Sequence, residues 1–463
     1  MLIYILLALF IIMLILCYFL FNKEIVQPAI IFCATYTFSI FCATLNIDKW
    51  GIELNSSAFF VLLIGGIEFC AISYLMHRYF KENKAVNVDE EKKQIEVSRV
   101  LIVFLIIFEV MLLVILLRNV LRIASNYGSY NSFSKALTLY KQHTSYSKDA
   151  ELPGYIAKLL KVITASAYIG VFIFLNNIIY SDEKVKERIF KNCIHLVFPL
   201  LFCIQKLMES GRGGIVFFLL STLTMSVVIW SRKNKWEKSI KVKTIFKIAI
   251  TVCLVLVLFY YSAPLVGRIN NKKLFDYITF YCGGSIECFN QWIEDPDAVE
   301  VVPGEYTFSK TINNLNSLHI TNYKLSNTNY SKFIYYEKTM VGNIYTAYRS
   351  WMHDWGIAGL VILQAIFAIT VNLLYNMVKY SKKRRGIIDF FIILYGYISY
   401  TIYMHPIDSY FYLHFFTEST IAIILMMIII YYITTNVKIK TKDGIAIIYK
   451  NKLVMENFKW KKN

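Results

Sequence analysis

Eleven runs of about 20 mostly apolar residues follow one another along this chain of 463 residues. As an α-helix, a run of that length matches the apolar thickness of a bilayer, and soluble domains do not contain a series of such runs. The sequence therefore predicts an all-α polytopic integral membrane protein with about 11 transmembrane helices. The predicted spans are 2–21, 25–45, 56–76, 98–117, 155–179, 192–208, 213–230, 245–263, 356–378, 387–405 and 413–434.

One long polar stretch separates the eighth and ninth spans. Loops of this length are usually functional or disordered, so it predicts a large extracytoplasmic loop. Within it, residues 274–293 carry apolar groups at helical spacing around Gly283-Gly284, which predicts two short helices on or in the membrane surface. The predicted organisation is transmembrane helices 1–8 in 1–263, the loop in 264–355, transmembrane helices 9–11 in 356–434, and a basic cytoplasmic tail in 435–463.

The net charge of +18 comes from short connections and not from a basic domain. With eleven spans, every strongly basic connection and the basic tail fall on one side of the membrane. Basic loops face the cytoplasm in membrane proteins, so we predict an external N-terminus and a cytoplasmic C-terminus, with no nucleic acid as partner. The first apolar run has no basic flank and no small-residue cleavage site, and it is therefore interpreted as a span. The basic connections are 77–98, 181–191, 231–247 and 379–386.

The opposite side collects the ionisable residues, most densely in 343–359. This stretch holds Arg349, His353 and Asp354 where the loop meets the ninth span. Asp354 would serve equally as a helix cap, and His353 as an ordinary interfacial aromatic residue. Ionisable groups at a membrane surface are costly and usually functional, so we predict one wall of an extracytoplasmic site here. Weaker candidates for a base are Glu287, Glu337, His319, His405 and Asp408.

Arginines form a second predicted group on the external side. Arg212 lies in the glycine-rich turn 210–214, where glycines let an anion approach backbone N–H groups; a tight turn with a snorkelling arginine is the simpler alternative. Polar residues just before the turn favour anion binding. Arg118, Arg122 and Arg268 lie at the ends of two other spans, where they either anchor the helix or bind phosphate.

The cysteines and one acidic motif predict no metal site. Most of the 9 cysteines lie inside apolar spans, where packing is their expected role. Cys282 and Cys288 are too far apart on a helix for a good disulfide. Asp295-Pro296-Asp297 resembles the DxD motif of metal-dependent glycosyltransferases, but a proline turn needs the same residues.

Three short motifs on the external side, together with the topology, resemble the Wzy-type oligosaccharide repeat-unit polymerases of O-antigen and capsular polysaccharide. That family has a Gly-Ser-Arg-type turn, a Tyr-x-x-Gly-Gly…Phe segment and an Asn-x-Tyr-Thr…Asp-x-Gly-x-x-Gly stretch before a span. This chain departs from the pattern in its Ser-Gly-Arg order and in the histidine before Asp354. The matching residues are Ser210-Gly211-Arg212-Gly213; Tyr281, Gly283, Gly284 and Phe289; and Asn343, Tyr345, Thr346, Asp354, Gly356 and Gly359.

The resemblance implies a metal-independent glycosyltransferase without a cofactor in the bacterial cytoplasmic (inner) membrane. It would transfer a growing glycan from undecaprenyl diphosphate to a new lipid-linked repeat unit and release undecaprenyl diphosphate. Implied partners are these lipid-linked oligosaccharides, membrane lipids, and chain-length regulator and flippase proteins. The implied catalytic residues are His353 and Asp354, and the implied diphosphate- and substrate-binding residues are Arg212, Arg349, Arg122, Arg268, Arg118, Tyr345 and Asn343.

Two other functions remain open from the sequence. An O-antigen ligase shares the external loop and the arginines, and differs in its acceptor. A lipid-linked oligosaccharide flippase is the less favoured alternative, because transporters are expected to show internal repeats and charges within their spans.

Overall fold

The computed structural model is a polytopic, almost entirely helical membrane protein, which confirms the predicted fold class. Within the described residues, ten helices are long and apolar enough to cross a membrane, and the apolar helix Pro28–Thr44 has 17 residues. Each of the eleven predicted spans corresponds to one of these helices. The structure describes residues 1–82, 94–147, 149–266, 272–296, 302–325, 332–380, 385–440, 445–449 and 452–457.

The helices and strands are numbered in chain order. The helices are α1 Leu2–Leu20, α2 Pro28–Thr44, α3 Ile47–Trp50, α4 Ser56–Glu82, α5 Arg99–Tyr127, α6 Phe133–Lys141, α7 Gly154–Leu159, α8 Lys161–Tyr180, α9 Val185–Asn192, α10 Val197–Met208, α11 Arg212–Lys233, α12 Val242–Tyr261, α13 Leu274–Glu294, α14 Ser309–Ser317, α15 Ala347–Tyr380, α16 Arg385–Tyr403, α17 Tyr410–His414 and α18 Glu418–Asn436. The strands are β1 Ile334–Tyr336, β2 Thr339–Gly342, β3 Val437–Lys440, β4 Ile445–Tyr449 and β5 Lys452–Asn457.

The chain forms two compact units. The first comprises Met1–Val88, Asn234–Tyr260 and Asn271–Thr420. The second comprises Asp89–Lys233, Tyr261–Asn270 and Ile421–Asn463. The antiparallel hairpin β1–β2 belongs to the first unit, and the antiparallel sheet β3-β4-β5 in the predicted tail belongs to the second.

Close packing of α4 against α15 builds the core of the first unit. The Tyr348 ring of α15 occupies the space that a side chain at Gly65 would need. Gln364 Nε2 donates to the Gly65 carbonyl at 3.0 Å and to the Tyr348 hydroxyl at 3.2 Å. Buried polar groups are stable only when they are paired, so these bonds fix α15 against α4.

The prediction of two short helices around Gly283-Gly284 is wrong. Residues 274–294 form the single helix α13. A Cβ at Gly283 would lie 2.6 Å from the Ala43 nitrogen of α2, and one at Gly284 would lie 2.6 Å from the Val341 carbonyl of β2. The two glycines therefore admit neighbouring backbones and do not break the helix.

A sharp kink divides α15 where the predicted ninth span begins. Gly356 has φ 61° and ψ −152°, a conformation open almost only to glycine. A Cβ at Gly359 would lie 2.5 Å from the Trp351 carbonyl oxygen. These two positions explain why the Asp-x-Gly-x-x-Gly pattern needs glycines, and the kink sets the segment with Arg349 apart from the long apolar helix.

The second unit is organised around α8, most of which is buried. Gly170 of α8 allows close approach of a short helical turn, since an added Cβ would lie 2.8 Å from the His195 carbonyl. The glycine-rich turn joins α10 to α11, and its Ser210 adopts a left-handed φ of 55°. The predicted anion-binding turn is therefore a tight reversal between two helices.

Candidate functional site

A polar cavity of about 110 Å³ lies in the first unit, where the long loop, the start of α15 and the turn before α17 meet. It has room for several water molecules or for one small polar group. Two predicted site residues, Arg349 and Tyr345, line it together with Asp408, one of the weaker candidates. The lining residues are Tyr306, Ser309, Ile344, Tyr345, Arg349, Ser350, Asp408 and Leu413.

Aromatic rings hold the Arg349 guanidinium in this cavity. Its central carbon lies 4.5 Å from the ring centre of Tyr345, 4.8 Å from that of Tyr306 and 5.9 Å from that of Trp292. Arg349 is only 4% exposed. Cation–π contacts of this kind contribute about 0.5–2 kcal/mol each and restrict the guanidinium plane. The arginine is thus fixed in advance with its charge at the cavity.

Asp408 places a carboxylate in the same cavity. The Ser409 N–H donates to Oδ1 at 2.7 Å, whereas the described part of the chain offers Oδ2 no hydrogen-bond donor. Burial raises the pKa of Asp408 to about 6, although the Ser409 N–H and the charges of Lys310 and Arg349 act in the opposite direction. A carboxyl group with this pKa is ionised at neutral pH and can still accept a proton.

A buried histidine positions the turn that carries Asp408. His405 Nδ1 lies 2.8 Å from the Tyr36 hydroxyl, and Nε2 lies 3.1 Å from Gln364 Oε1. Burial lowers the pKa of His405 to about 3, so the ring is neutral at physiological pH. Both ring nitrogens are used in these bonds, and the His405 carbonyl accepts from the Ala347 N–H at 3.1 Å. His405 therefore links the turn to the start of α15.

Asp354 anchors the long loop. Its two carboxylate oxygens accept the backbone N–H groups of Tyr306 at 3.2 Å and Thr307 at 2.7 Å. The carboxylate is fully buried and is not part of the cavity lining. Asp354 thus holds the loop segment whose Tyr306 ring contacts Arg349, instead of capping the apolar part of α15.

His353 lies beside Asp354, with Nδ1 4.0 Å from Asp354 Oδ1. Its ring centre is 4.1 Å from that of Tyr306 and 6.2 Å from that of Trp292. His353 thus contacts two of the rings that surround Arg349, but neither member of the predicted catalytic pair lines the cavity. The cavity itself receives Asp408.

A further cation near the cavity gave no sequence signal. Lys310 is the second residue of α14, and its Nζ lies 3.1 Å from His414 Nε2 on α17. Its charge acts on Asp408. An exposed lysine in a polar loop is unremarkable in a sequence, and only the fold brings it close to the turn.

The second unit contains the predicted Arg212. This residue begins α11 and is 3% exposed. Beside it, Lys206 forms an ion pair with Glu209 at 2.7 Å, and Lys141 Nζ donates to the Ser210 carbonyl at 3.1 Å. Burial alone would raise the pKa of Glu209, but Lys206 outweighs it and holds that pKa below its ordinary value. The turn is therefore rich in cations, with one carboxylate that stays ionised.

The remaining predicted residues that the structure describes do not line the cavity. Arg118 and Arg122 are exposed on α5, and Arg122 donates to Asn119 of its own helix at 3.0 Å. Asn343 is half-buried just after β2. Arg268 lies outside the described residues, as does Asp297 of the DxD-like motif.

Glu287 of α13 is bonded within its own helix. Its carboxylate accepts from Asn290 at 3.0 Å and from Gln291 at 2.8 Å. Burial raises the pKa of Glu287 to about 7. Glu337 and His319, two other weaker candidates for the base, occupy turns with left-handed φ values of 50° and 57°.

No protein-family model, curated protein or solved structure matches this chain. The function of the cavity is inferred from the two charged residues that line it, the cation Arg349 and the proton acceptor Asp408.

Proposed function

We propose that this protein is a Wzy-type polysaccharide polymerase that joins lipid-diphosphate-linked oligosaccharide repeat units. The observation that carries the proposal is the shared cavity of Arg349 and Asp408. Transfer of a glycan from a diphosphate needs a cation for the leaving group and a base for the acceptor. One cavity supplies both.

Arg349 is proposed to bind the diphosphate and to stabilise its charge as it leaves. A guanidinium presents several N–H donors in a plane that matches phosphate oxygens, and its charge cannot be lost at physiological pH. Because three rings hold it in place, little reorganisation is needed when charge develops on the leaving group. The arginine thus takes the role that a metal ion has in other glycosyltransferases.

Asp408 is proposed as the general base in preference to Asp354. The acceptor hydroxyl oxygen bonds to the anomeric carbon of the donor, while the bond from that carbon to the diphosphate oxygen breaks. The hydroxyl proton passes to Asp408, and the diphosphate keeps the electron pair. Both oxygens of Asp354 already hold loop N–H groups, whereas Oδ2 of Asp408 faces no donor in the described residues.

Arg212 of the second unit is proposed as a separate phosphate-binding residue for lipid-linked substrate. The glycine-rich turn and the nearby lysines support this role. The basic connections support an orientation with the long loop outside, and hence a site at the outer face of a bacterial inner membrane. Both substrates would reach it by diffusion within the bilayer.

The test uses purified full-length protein in vesicles that contain lipid-linked repeat units. We expect wild-type protein to make products of two or more repeats that remain on the lipid diphosphate. Arg349→Ala and Asp408→Asn should stop this. Arg122→Ala should not, despite the binding role that the resemblance implies, because Arg122 does not line the cavity and donates to Asn119 of its own helix. Transfer of finished glycan to a different acceptor without chain growth would instead indicate a ligase. Movement of unaltered repeat units across the bilayer would indicate a flippase.

A further inference from the structure

Three cysteines from three different helices meet in the first unit. Cys70 Sγ of α4 lies 3.4 Å from Cys33 Sγ of α2 and 3.6 Å from Cys17 Sγ of α1. All three sulfur atoms lie within 4.8 Å of one another. Cys17 and Cys33 are buried, and no spacing in the sequence predicts that they meet. Isolated packing cysteines do not need to converge in this way.

An aromatic stack joins the two helices that carry Cys33 and Cys70. Phe32 and Phe69, the chain neighbours of Cys33 and Cys70, stack with ring centres 4.3 Å apart and planes 9° apart. This stack holds α2 and α4 together beside the thiols.

Met13 of α1 packs against Gly66 of α4 near the cysteine cluster. Met13 is one helical turn before Cys17 in α1, and its terminal carbon would lie 3.2 Å from a Cβ at Gly66. Gly66 is in turn one helical turn before Cys70 in α4. The contact between α1 and α4 therefore includes the Met13 thioether one helical turn from the three thiols. Thioether sulfur is another ligand that soft metals accept.

We infer that Cys17, Cys33 and Cys70 form a binding site for one soft monovalent metal ion of the Cu(I) type. Three thiol sulfurs at these distances can surround a single ion, and sulfur ligands select soft metals over the hard ions Mg²⁺ and Ca²⁺. The cluster is separate from the cavity of Arg349 and Asp408, so the inference does not rest on the proposed polymerase function.

The ligand set favours Cu(I) over Zn(II). Among the described residues, the cluster contains three thiols and no histidine or carboxylate as a fourth ligand, whereas structural zinc sites are almost always tetrahedral. Each sulfur that becomes a ligand gives up its proton to solvent, because the thiolate and not the thiol is the metal ligand.

The experiment titrates Cu(I) anaerobically into purified full-length protein in detergent, against a competing chelator. The starting protein carries Cys193→Ser and Cys253→Ser, which remove two exposed cysteines and leave the cluster intact. We expect one tightly bound ion per chain and the release of one proton for each thiol that becomes a ligand, about two to three in all. A parallel titration with Zn(II) should give much weaker binding. Equal or tighter Zn(II) binding would overturn the choice of metal.

Substitutions within the cluster test the ligands. Cys33→Ser should weaken Cu(I) binding by more than roughly 100-fold, a larger loss than changes outside a ligand shell cause. Cys42→Ser, in the same helix, is the matched control and should bind as before. Identical binding by the Cys33→Ser protein would overturn the site.

A spectroscopic measurement on the unsubstituted cluster keeps the test independent of folding of the variants. X-ray absorption of the copper-loaded protein should show two to three sulfur neighbours and no nitrogen or oxygen neighbours. Bound Cu(I) should also raise the midpoint of thermal unfolding, since it binds only the folded arrangement of the helices. Copper with nitrogen or oxygen neighbours, or no tight binding at all, would contradict the inference.

Discussion

Arg349 and Asp408 lie on the walls of one polar cavity although they come from distant parts of the chain. The aromatic rings of Tyr345, Tyr306 and Trp292 hold the cation, and the His405 turn holds the carboxylate. Their charges interact, since Arg349 acts to lower the pKa of Asp408 against the effect of burial.

Asp408→Asn should reduce polymer formation by roughly 100-fold or more, the usual contribution of a general base. The wild-type rate should be highest above about pH 6 and should fall as the pH drops through that value, because Asp408 must be ionised to accept a proton. Rates of chain growth measured from about one pH unit below the pKa of Asp408 to about two units above it would test this. A wild-type rate that is constant across this range would contradict the role.

The same substitution should not weaken the fold. The folded-state pKa of Asp408 is raised, so its ionisation costs stability at neutral pH, and that cost disappears as the pH falls below the ordinary aspartate value of about 4. Asn keeps the acceptor for the Ser409 N–H. We therefore expect the Asp408→Asn protein to unfold at an equal or higher temperature than wild type at pH 7.5. A clear loss of stability there would show that its inactivity reflects misfolding.

Arg349→Lys separates charge from geometry. Lysine keeps a positive charge but lacks the planar guanidinium that stacks against rings and binds two phosphate oxygens. We expect an intermediate loss of turnover for Lys, and a loss of roughly 100- to 1000-fold for Ala, as for removal of one transition-state donor. Arg118→Ala is the control: Arg118 is exposed on α5 and does not line the cavity, so turnover should stay at the wild-type level despite the binding role that the resemblance implies. Equal activity of the Lys variant and wild type would show that only charge matters.

Asp354→Asn should lower the stability of the fold, and any loss of activity should follow from that loss. The amide has one acceptor oxygen for the two loop N–H groups, so one buried N–H loses its partner at a cost of about 1–3 kcal/mol. We expect a lower unfolding temperature and faster proteolysis near residues 302–308. If the variant is instead fully stable but inactive, Asp354 is the base, one of the two candidates that the resemblance implies.

Gly356→Ala tests the kink in α15. The φ of 61° and ψ of −152° at this position are strained for any side chain, which costs about 1–3 kcal/mol. Arg349 and Ser350 precede the kink, so polymer formation should fall together with the unfolding temperature. Gly386→Ala in α16 is the matched control, because an added Cβ there meets no atom within 4 Å and the backbone is ordinary.

The sequence predicts the helices well because membrane insertion is decided by local composition. A run of apolar residues must satisfy its backbone hydrogen bonds internally, and only a helix does so within one segment. Every predicted span therefore corresponds to a helix. The error at Gly283-Gly284 arose because a glycine pair marks a helix break or a close helix contact equally well, and only the neighbouring backbones of α2 and β2 distinguish the two.

The site was only partly predictable. Arg349 was found because a charged residue at the start of a span is conspicuous, and Tyr345 belonged to the same motif. From the sequence Asp408 is only a weaker candidate for the base, because its position in the cavity depends on the tertiary contacts of His405. The three-thiol cluster left no trace in the sequence, since its cysteines come from separate spans with no shared spacing.

The most direct measurement of the central claim is the length of glycan made in vesicles from lipid-linked repeat units. We predict long products for wild type and for Arg122→Ala, and single repeat units only for Arg349→Ala and for Asp408→Asn, with all four proteins equally folded. Wild-type chain lengths from folded Arg349→Ala and Asp408→Asn proteins would contradict the assignment of this cavity as the polymerising site.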